Sequence, residues 1–365
     1  MKGYITVLQE AVPGFAPDDL FVSLKETSLH SLDQLILHSA LEDHFGFRIP
    51  AAEWQARNTL SEILQYCISK RDTTRRLFIE ENKIRHARCQ EIRLPHMANN
   101  GLSELWLLKE LGDIHWTLME QGLQQKPVSF ADQSGNRIYA AFVRVNYTVS
   151  ALNLFREYET VRFNSSIARS GQSIYYSATE GICGRKKIEA SMATGFSVRK
   201  GNDNTQFMPG KPVITVNNID ETDQAAGFYK LHRQLGKGKI GQVLSDNYVF
   251  PLEQKIYTYT HTINPYIDIN GAGLLYFACY PIIADMGTAA FFRQITGVNY
   301  DTAYHTIYRD VFYFANCNTG DRVNVQVNSI EYCGAGKIKT VVSMYRESDH
   351  KLIARVFTVK QGPYD

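Results

Sequence analysis

The sequence has almost no excess charge. Its 39 lysines and arginines face 37 aspartates and glutamates, a formal +2 at pH 7. That balance leaves no electrostatic footprint for nucleic acid or an anionic membrane. No CxxC pair occurs, and the six cysteines (Cys67, Cys89, Cys183, Cys279, Cys317 and Cys333) have no histidine at metal-ligand spacing. A zinc module is therefore not expected, and the cysteines read as free thiols of a reducing compartment. No positively charged segment with an apolar core opens the chain, and no apolar run reaches membrane-spanning length. The expected location is the cytoplasm, with no nucleic-acid partner, no membrane partner and no metal. What is present is an ordinary globular composition over 365 residues, 44% hydrophobic and 21% charged, which suits two or three domains. The 21 tyrosines and 19 phenylalanines favour half-buried strands.

The chain falls into three blocks. Residues 1 to about 70 read as helical. "SLDQLILHSALEDHFG" puts Leu32, Leu35, Ile36, Ala40, Leu41 and Phe45 at helical spacing, and "TLSEILQYC" is a second helix with Asn58 or Thr59 as N-cap. "SKRDTTRRLFIEENKIRHARCQ" is a helix or linker with a solvated basic face. From about residue 88, "RIYAAFVRVNYTV", "TVRFNSSIAR", "QSIYYSATEG" and "ASMATGFSVRK" are strand-like, and "GNDNTQFMPGKP" is a loop or crossing. The pattern then restarts with "YTYTHTIN", followed later by "DRVNVQVNSIEY", "KIKTVVSMYRES" and "KLIARVFTVKQ". In each half a strand leads to a glycine turn and an apolar helix, "MANNGLSELWLLKELGDIHW" (97–116) or "DINGAGLLYFACYPIIAD" (268–285), and then to a strand meander. This order implies an internal duplication of about 130 residues.

The second turn-and-helix carries the clearest chemistry. A glycine turn lets a substrate approach the backbone, and a helix N-terminus presents unpaired amides to a carbonyl oxygen. The bland alternative is a turn plus helix cap, which Asn and Gly suit equally. The same two readings hold for Asn99, Asn100 and Gly101, with Ser103 and Glu104 in the first helical turn. His96 and His115 titrate in a range suited to acid–base work, but no partner is visible in the sequence. Tyr276 and Tyr280 read either as core aromatics or as pocket walls, and Asp268 and Asp285 as helix-end stabilisers. "GKGKIG" (236–241) lacks phosphate-loop spacing.

The segment resembles the signature D-x-D-x-x-G-x-V-x-[FY]-x-x-Y of acyl-CoA thioesterases of the 4-hydroxybenzoyl-CoA type. Asp268, Asn270, Gly273, Leu275, Phe277 and Tyr280 fall in those places. The family's second acidic residue is here Asn270, which can donate a hydrogen bond to an oxyanion but cannot act as base or nucleophile. Both halves together, over roughly residues 90–365, resemble the double-hotdog acyltransferase/decarboxylase of the leinamycin polyketide pathway and its biosynthetic relatives. That resemblance implies decarboxylation of a malonyl-type coenzyme A thioester and transfer of the acyl group to an acyl carrier protein. It also implies acylation of a tyrosine on the strand after the first helix, Tyr139 first and Tyr147 second. Residues 30–67 resemble an acyl carrier protein, with Ser31 at the phosphopantetheine position, Ile49–Pro50 matching the usual "IP", and His30 replacing the usual aspartate.

The expected fold is thus α+β: a tandem (double) hotdog preceded by a small all-α carrier-like bundle. The expected boundaries are 1–70 for the bundle, 71–88 for a linker, and 89–212 and 213–365 for the hotdog units. Tyr139, Asn270 and Gly273 are the catalytic candidates. Asp268, Gly271, Ala272, Asn100, Gly101, Ser103 and Tyr276 are the substrate-binding candidates, and Ser31 is the site for phosphopantetheine. Arg144, Arg156 and Lys186–Lys187 read either as a coenzyme A phosphate site or as a charged strand surface. Coenzyme A thioester enters as substrate, with no tightly bound cofactor, and the expected partners are acyl-CoA, an acyl carrier protein and a second copy in a homodimer. Two other readings stand beside this one. One is a thioesterase or dehydratase using His96 or Glu104 as base; the other is a non-catalytic acyl-binding or docking scaffold.

Overall fold

A computed structural model describes residues 2–26, 29–45, 48–99, 101–238, 240–245, 248–252 and 255–362. It divides into two compact units, Met1–Phe78 with Gln242–Pro251, and Ile79–Gly241 with Leu252–Asp365. Asn100, a substrate-binding candidate, lies outside the described residues.

The first unit holds α1 (Lys2–Ala11), α2 (Ser31–Phe45), α3 (Ala51–Gln55) and most of α4 (Leu60–Glu81). Thr59 caps α4: its Oγ1 accepts from Glu62 N at 3.2 Å, and Glu62 Oε2 accepts in return from Asn58 N at 2.8 Å. Such a reciprocal cap stops the chain from fraying at that end. The core is built from Leu8, Val12, Phe15, Leu37, Leu41, Ile63, Leu64 and Cys67. On α2 the buried stripe therefore runs through Leu37 and Leu41, whereas Leu32 and Leu35 are 66% and 63% exposed. The helix is apolar on more than one side, so spacing alone does not choose the buried face. The stretch 71–88 is not an open linker: α4 continues to Glu81 and the first strand starts at Arg85. A hairpin of Gln242–Ser245 and Tyr248–Pro251 groups with this helical unit, although the sequence places it in the second hotdog.

The second unit is built on strands β1 (Arg85–Glu91), β2 (Ile138–Val149), β3 (Thr160–Ser170), β4 (Ile174–Cys183) and β5 (Lys186–Arg199). They are followed by β6 (Tyr257–Thr262), β7 (His305–Tyr313), β8 (Arg322–Tyr332), β9 (Lys337–Arg346) and β10 (Leu352–Gln361). All ten lie in one antiparallel sheet in the order β1-β3-β4-β5-β2-β7-β10-β9-β8-β6, with Phe207–Pro209 added beside β5. Read outward from the centre, the second five strands repeat the order of the first five. The halves meet where β2 pairs with β7, from Arg144↔Phe312 to Thr148↔Tyr308.

Each half has one long helix on its strands: α5 (Glu104–Leu123) packs on β1, β3 and β4, and after the connecting α6 (Asp223–Gly236), α7 (Cys279–Ile295) packs on β6, β8, β9 and β10. Leu107, Leu111, Ile114 and Leu118 recur every three or four residues along the buried side of α5. A small hairpin precedes each helix, Met97–Ala98 with Gly101–Leu102 in the first half and a bridge Ile269↔Leu275 in the second. The architecture is α+β, as the strand and helix periodicities require. Among the described residues, no helix is long and apolar enough to cross a membrane.

Candidate active site

The turn at Asn270–Gly273 holds itself together. Asn270 Oδ1 accepts from Ala272 N at 2.9 Å and Leu274 N at 3.1 Å, while Gly273 N donates to Asn270 O at 2.9 Å. Leu275 N donates to Asn316 Oδ1 at 2.9 Å, and Tyr276 N to Asp268 O at 2.7 Å. Every amide from Ala272 to Tyr276 is therefore committed, and Asn270 works as a turn residue. The sequence expects these amides to receive an oxyanion and the helix to start at once; instead the amides are paired, within the turn and to Asn316, and the Asn270 side chain gives its Oδ1 to the turn. The helix α7 begins only at Cys279. Gly273 sits at φ +76°, a conformation that favours glycine and explains the residue without a substrate. Gly271 stands in open space.

Polar groups nonetheless converge on the tip of this hairpin. Asn204 Nδ2 donates to Gly273 O at 2.5 Å and to Cys317 O at 3.1 Å. Arg199 Nη1 donates to Asn204 Oδ1 at 2.8 Å and to Ala272 O at 3.4 Å, and its Nη2 donates to the Tyr139 hydroxyl at 3.0 Å. The guanidiniums of Arg137 and Arg199 lie 5.0 and 5.1 Å from the centre of the half-buried Tyr139 ring. Arg199 Nε is buried without a partner among the described residues. Tyr139 and the turn, far apart in the numbering, thus share one arginine. Tyr147, the second candidate, is fully buried against Glu104, and burial followed by that carboxylate pushes its phenol well above the usual range. Its side chain is shut off from solvent.

At the base of the same hairpin, Asp268 is buried. Its Oδ2 accepts from Asn264 N at 2.8 Å and lies 2.8 Å from His261 Nε2. His261 is on β6, on the side of the strand that alternates inward with Tyr257 and Tyr259. Cys279 opens α7 nearby, but burial, then the Asp268 charge, drives its thiol up to about 11, so it stays protonated at neutral pH. Tyr276 stands between Phe277, with ring centres 5.0 Å apart, and the Lys109 ammonium 5.6 Å from its ring centre. Tyr280 is a core residue whose hydroxyl donates to Ala315 O at 2.9 Å.

The described residues of the matching hairpin in the first half make structural contacts. Asn99 Nδ2 donates to Asp301 O at 3.0 Å, and Ser103 caps α5 by accepting from Trp106 N at 3.3 Å. A Cβ on Gly101 would come within 2.5 Å of Asn153 Cα, so the position is reserved for close packing. Glu104 is buried in an ion cluster: Oε1 accepts from Arg309 Nε at 2.7 Å and from the Tyr147 hydroxyl, and Oε2 accepts from Arg309 Nη2 at 2.8 Å and Thr306 Oγ1 at 2.7 Å. The other side of Arg309 meets Asp285 at 2.8 Å, and Lys360 Nζ meets the same carboxylate at 2.7 Å. Burial raises both carboxyls, but Arg309 outweighs it: Glu104 is held below its ordinary value, and Asp285, with Lys360 also acting, falls to about 2.

Other candidates are also tied down. His96 Nδ1 accepts from Arg93 N at 3.1 Å and its ring stacks on Trp106. His115 is buried between Ser177 Oγ at 2.7 Å and Thr194 Oγ1 at 3.0 Å, and desolvation lowers it to about 3. His96 Nδ1 and the Glu104 carboxylate thus both have partners, and His261 beside Asp268 is a further imidazole that the sequence reading does not single out. Its signal was its place on an inward-facing position of "YTYTHTIN", one loop before Asp268. Arg144 is no phosphate ligand: it is buried in a bidentate pair with Asp310, at 3.0 and 2.8 Å. Lys186 is paired with Glu159, and Arg156 Nη1 donates to Phe155 O at 3.0 Å. Ser31 is exposed and is the first residue of α2 in the helical unit.

No family model matches the chain, and no curated protein matches it. Solved structures do. The 12:0-ACP thioesterase from Umbellularia californica superposes with a TM-score of 0.51 at 11% identity, over 77% of this chain and 95% of that one. An oleoyl thioesterase from Lactobacillus plantarum reaches 0.49 at 12% identity, over 76% of this chain and 95% of that one. An acyl-ACP thioesterase from Bacteroides thetaiotaomicron reaches 0.48 at 12% identity, over 76% and 98%. The likeness to the Umbellularia structure shows the fold. The strand-and-helix unit has the hotdog-type α+β fold of that structure.

Proposed function

We propose that the protein hydrolyses an acyl thioester carried on coenzyme A or on an acyl carrier protein, with His261 as general base and Asp268 orienting its ring. The observation carrying this reading is the 2.8 Å contact between His261 Nε2 and the buried Asp268 carboxylate, at the base of the hairpin that the sequence signature marks. The fold shared with a 12:0-ACP thioesterase supports the substrate class. The imidazole nitrogen turned away from Asp268 takes a proton from water as the water oxygen adds to the thioester carbonyl. Collapse of the tetrahedral adduct breaks the C–S bond, and the proton passes to the departing sulfur, giving a carboxylic acid and a thiol. The repeated five-strand order on either side of the β2–β7 pairing supports reading this unit as a double hotdog. The exposed Ser31 at the start of α2 supports reading the helical unit as a carrier whose serine takes phosphopantetheine.

A second reading, acyl transfer from a malonyl-type thioester to Tyr139 with or without decarboxylation, is favoured by one observation. Arg199 donates to the Tyr139 hydroxyl at 3.0 Å and keeps a buried Nε without a partner, so a phenolate or an oxyanion there would meet a fixed cation. One experiment separates the two. The protein is incubated with malonyl-, methylmalonyl- and longer acyl-CoA thioesters while free thiol and intact mass are followed. Thiol release without an adduct, reduced about 10²–10⁴-fold in His261→Ala, is the outcome expected for hydrolysis. A stable acyl adduct lost in Tyr139→Phe would replace hydrolysis with transfer. Neither product across the panel would leave only an acyl-binding scaffold.

A further inference from the structure

The helix α6 bears a groove that the proposed reaction does not use. Its volume is about 330 Å³, and it is lined by Ser170 from the end of β3 and by Tyr229, Lys230, Arg233 and Lys237. Lys230, Arg233 and Lys237 are exposed and fall at i, i+3 and i+7, so they form one row about 10 Å long. Among the described residues, no carboxylate pairs with any of them, and the neighbouring Glu221 is taken by Arg169 at 3.0 Å. The flat side of Tyr229 is braced: its ring stacks on His232, with centres 5.5 Å apart, and His232 stacks on Phe314 at 5.1 Å. Three unneutralised cations call for an anion with several charges. The groove is shallow and open on its solvent side, with a volume that suits a small molecule lying along the helix. A rigid aromatic wall beside the cations suits a planar base.

We propose that this groove binds a nucleotide carrying more than one phosphate, with the phosphates on Lys230, Arg233 and Lys237 and the base against Tyr229. The 3′-phosphoadenosine diphosphate end of coenzyme A is such a group. That identification rests on the thioester reading above, whereas the phosphate site itself does not. Calorimetric titration of the full chain with adenosine 3′,5′-bisphosphate, inorganic phosphate and adenosine tests it without any turnover. The bisphosphate should bind more tightly than either of the others and should weaken as salt is raised. In Lys230→Ala/Arg233→Ala/Lys237→Ala its affinity should fall by about tenfold or more. Tyr229→Ala should weaken the bisphosphate and leave inorganic phosphate unchanged. An unaltered melting temperature in these variants keeps the comparison on binding. Equal affinity in the triple variant overturns the proposal. So does the absence of bisphosphate binding while an acidic carrier protein binds through the same three residues. Loss of thioester hydrolysis with bisphosphate binding intact would count against the proposed reaction alone.

Discussion

Replacing Arg309 by leucine should destabilise the sheet unit by about 3–5 kcal/mol, because the change strands a buried carboxylate rather than merely deleting a contact. In the folded protein Glu104 and Asp285 carry two negative charges, and Arg309 and Lys360 two positive ones, within a single hydrogen-bonded cluster. Arg309 is completely buried. Without it Asp285 keeps Lys360 at 2.7 Å, but Glu104 is left with only the hydroxyls of Tyr147 and Thr306. Urea unfolding followed by tryptophan fluorescence measures the loss. In a Trp54→Phe background the remaining tryptophans, Trp106 and Trp116, lie on α5 and report on this unit alone. The urea slope should stay constant while the midpoint falls. The decisive comparison is Glu104→Leu/Arg309→Met, which removes one charge of each sign and leaves Asp285 paired with Lys360. It should cost only about 1–2 kcal/mol, for hydroxyls deprived of an acceptor. A single variant losing under about 1 kcal/mol, or a double variant losing the sum of its two singles, would refute the reasoning.

Two further outcomes follow from groups described above. His115, lowered to about 3 by desolvation, stays neutral in the fold, while an unfolded histidine binds a proton below about 6.5. The unfolded state therefore holds more protons between those values, and stability should rise with pH across that window by up to about 1.4 kcal/mol per unit. The slope should disappear in His115→Gln; a slope unchanged by that substitution would assign it to other groups. Gly273→Ala should cost about 1–2 kcal/mol in urea unfolding, because the backbone there is left-handed while the nearest atom, Arg199 Nη1, is a tolerable 3.7 Å from the new Cβ. A neutral result would mean that the turn relaxes to a conformation open to any residue.

The strands were the most legible part of the sequence, since alternation leaves a period of two that tertiary packing seldom overrides. "RIYAAFVRVNYTV" and "KLIARVFTVKQ" became β2 and β10 nearly residue for residue. The internal repeat was legible for the same reason. The buried face of α2 was not, because Leu32, Leu35 and Ile36 compete with Leu37 and Leu41 around one helix, and only the neighbours decide. Asn270 shows a different limit: an amide that closes a turn and an amide that receives an oxyanion occupy the same place in a motif. Arg199 and Asn204 escaped altogether, since their partners Tyr139 and Gly273 are 60 and 69 residues away and a lone polar side chain carries no period. The hairpin of Gln242–Pro251 groups with the helical unit across a still longer stretch of chain.

The pairing of β2 with β7 makes one sheet of two like halves that are also covalently one chain. A pair of separate identical subunits must carry every substitution twice, so its two clefts remain copies of each other. Here each hairpin could drift alone. The one before α5 has given its asparagine and glutamate over to holding the halves together, while the one before α7 keeps a histidine against a carboxylate. One chain can thus hold two like halves to unlike local structure, with Asn99 and Glu104 tying the halves together on one side and His261 meeting Asp268 on the other.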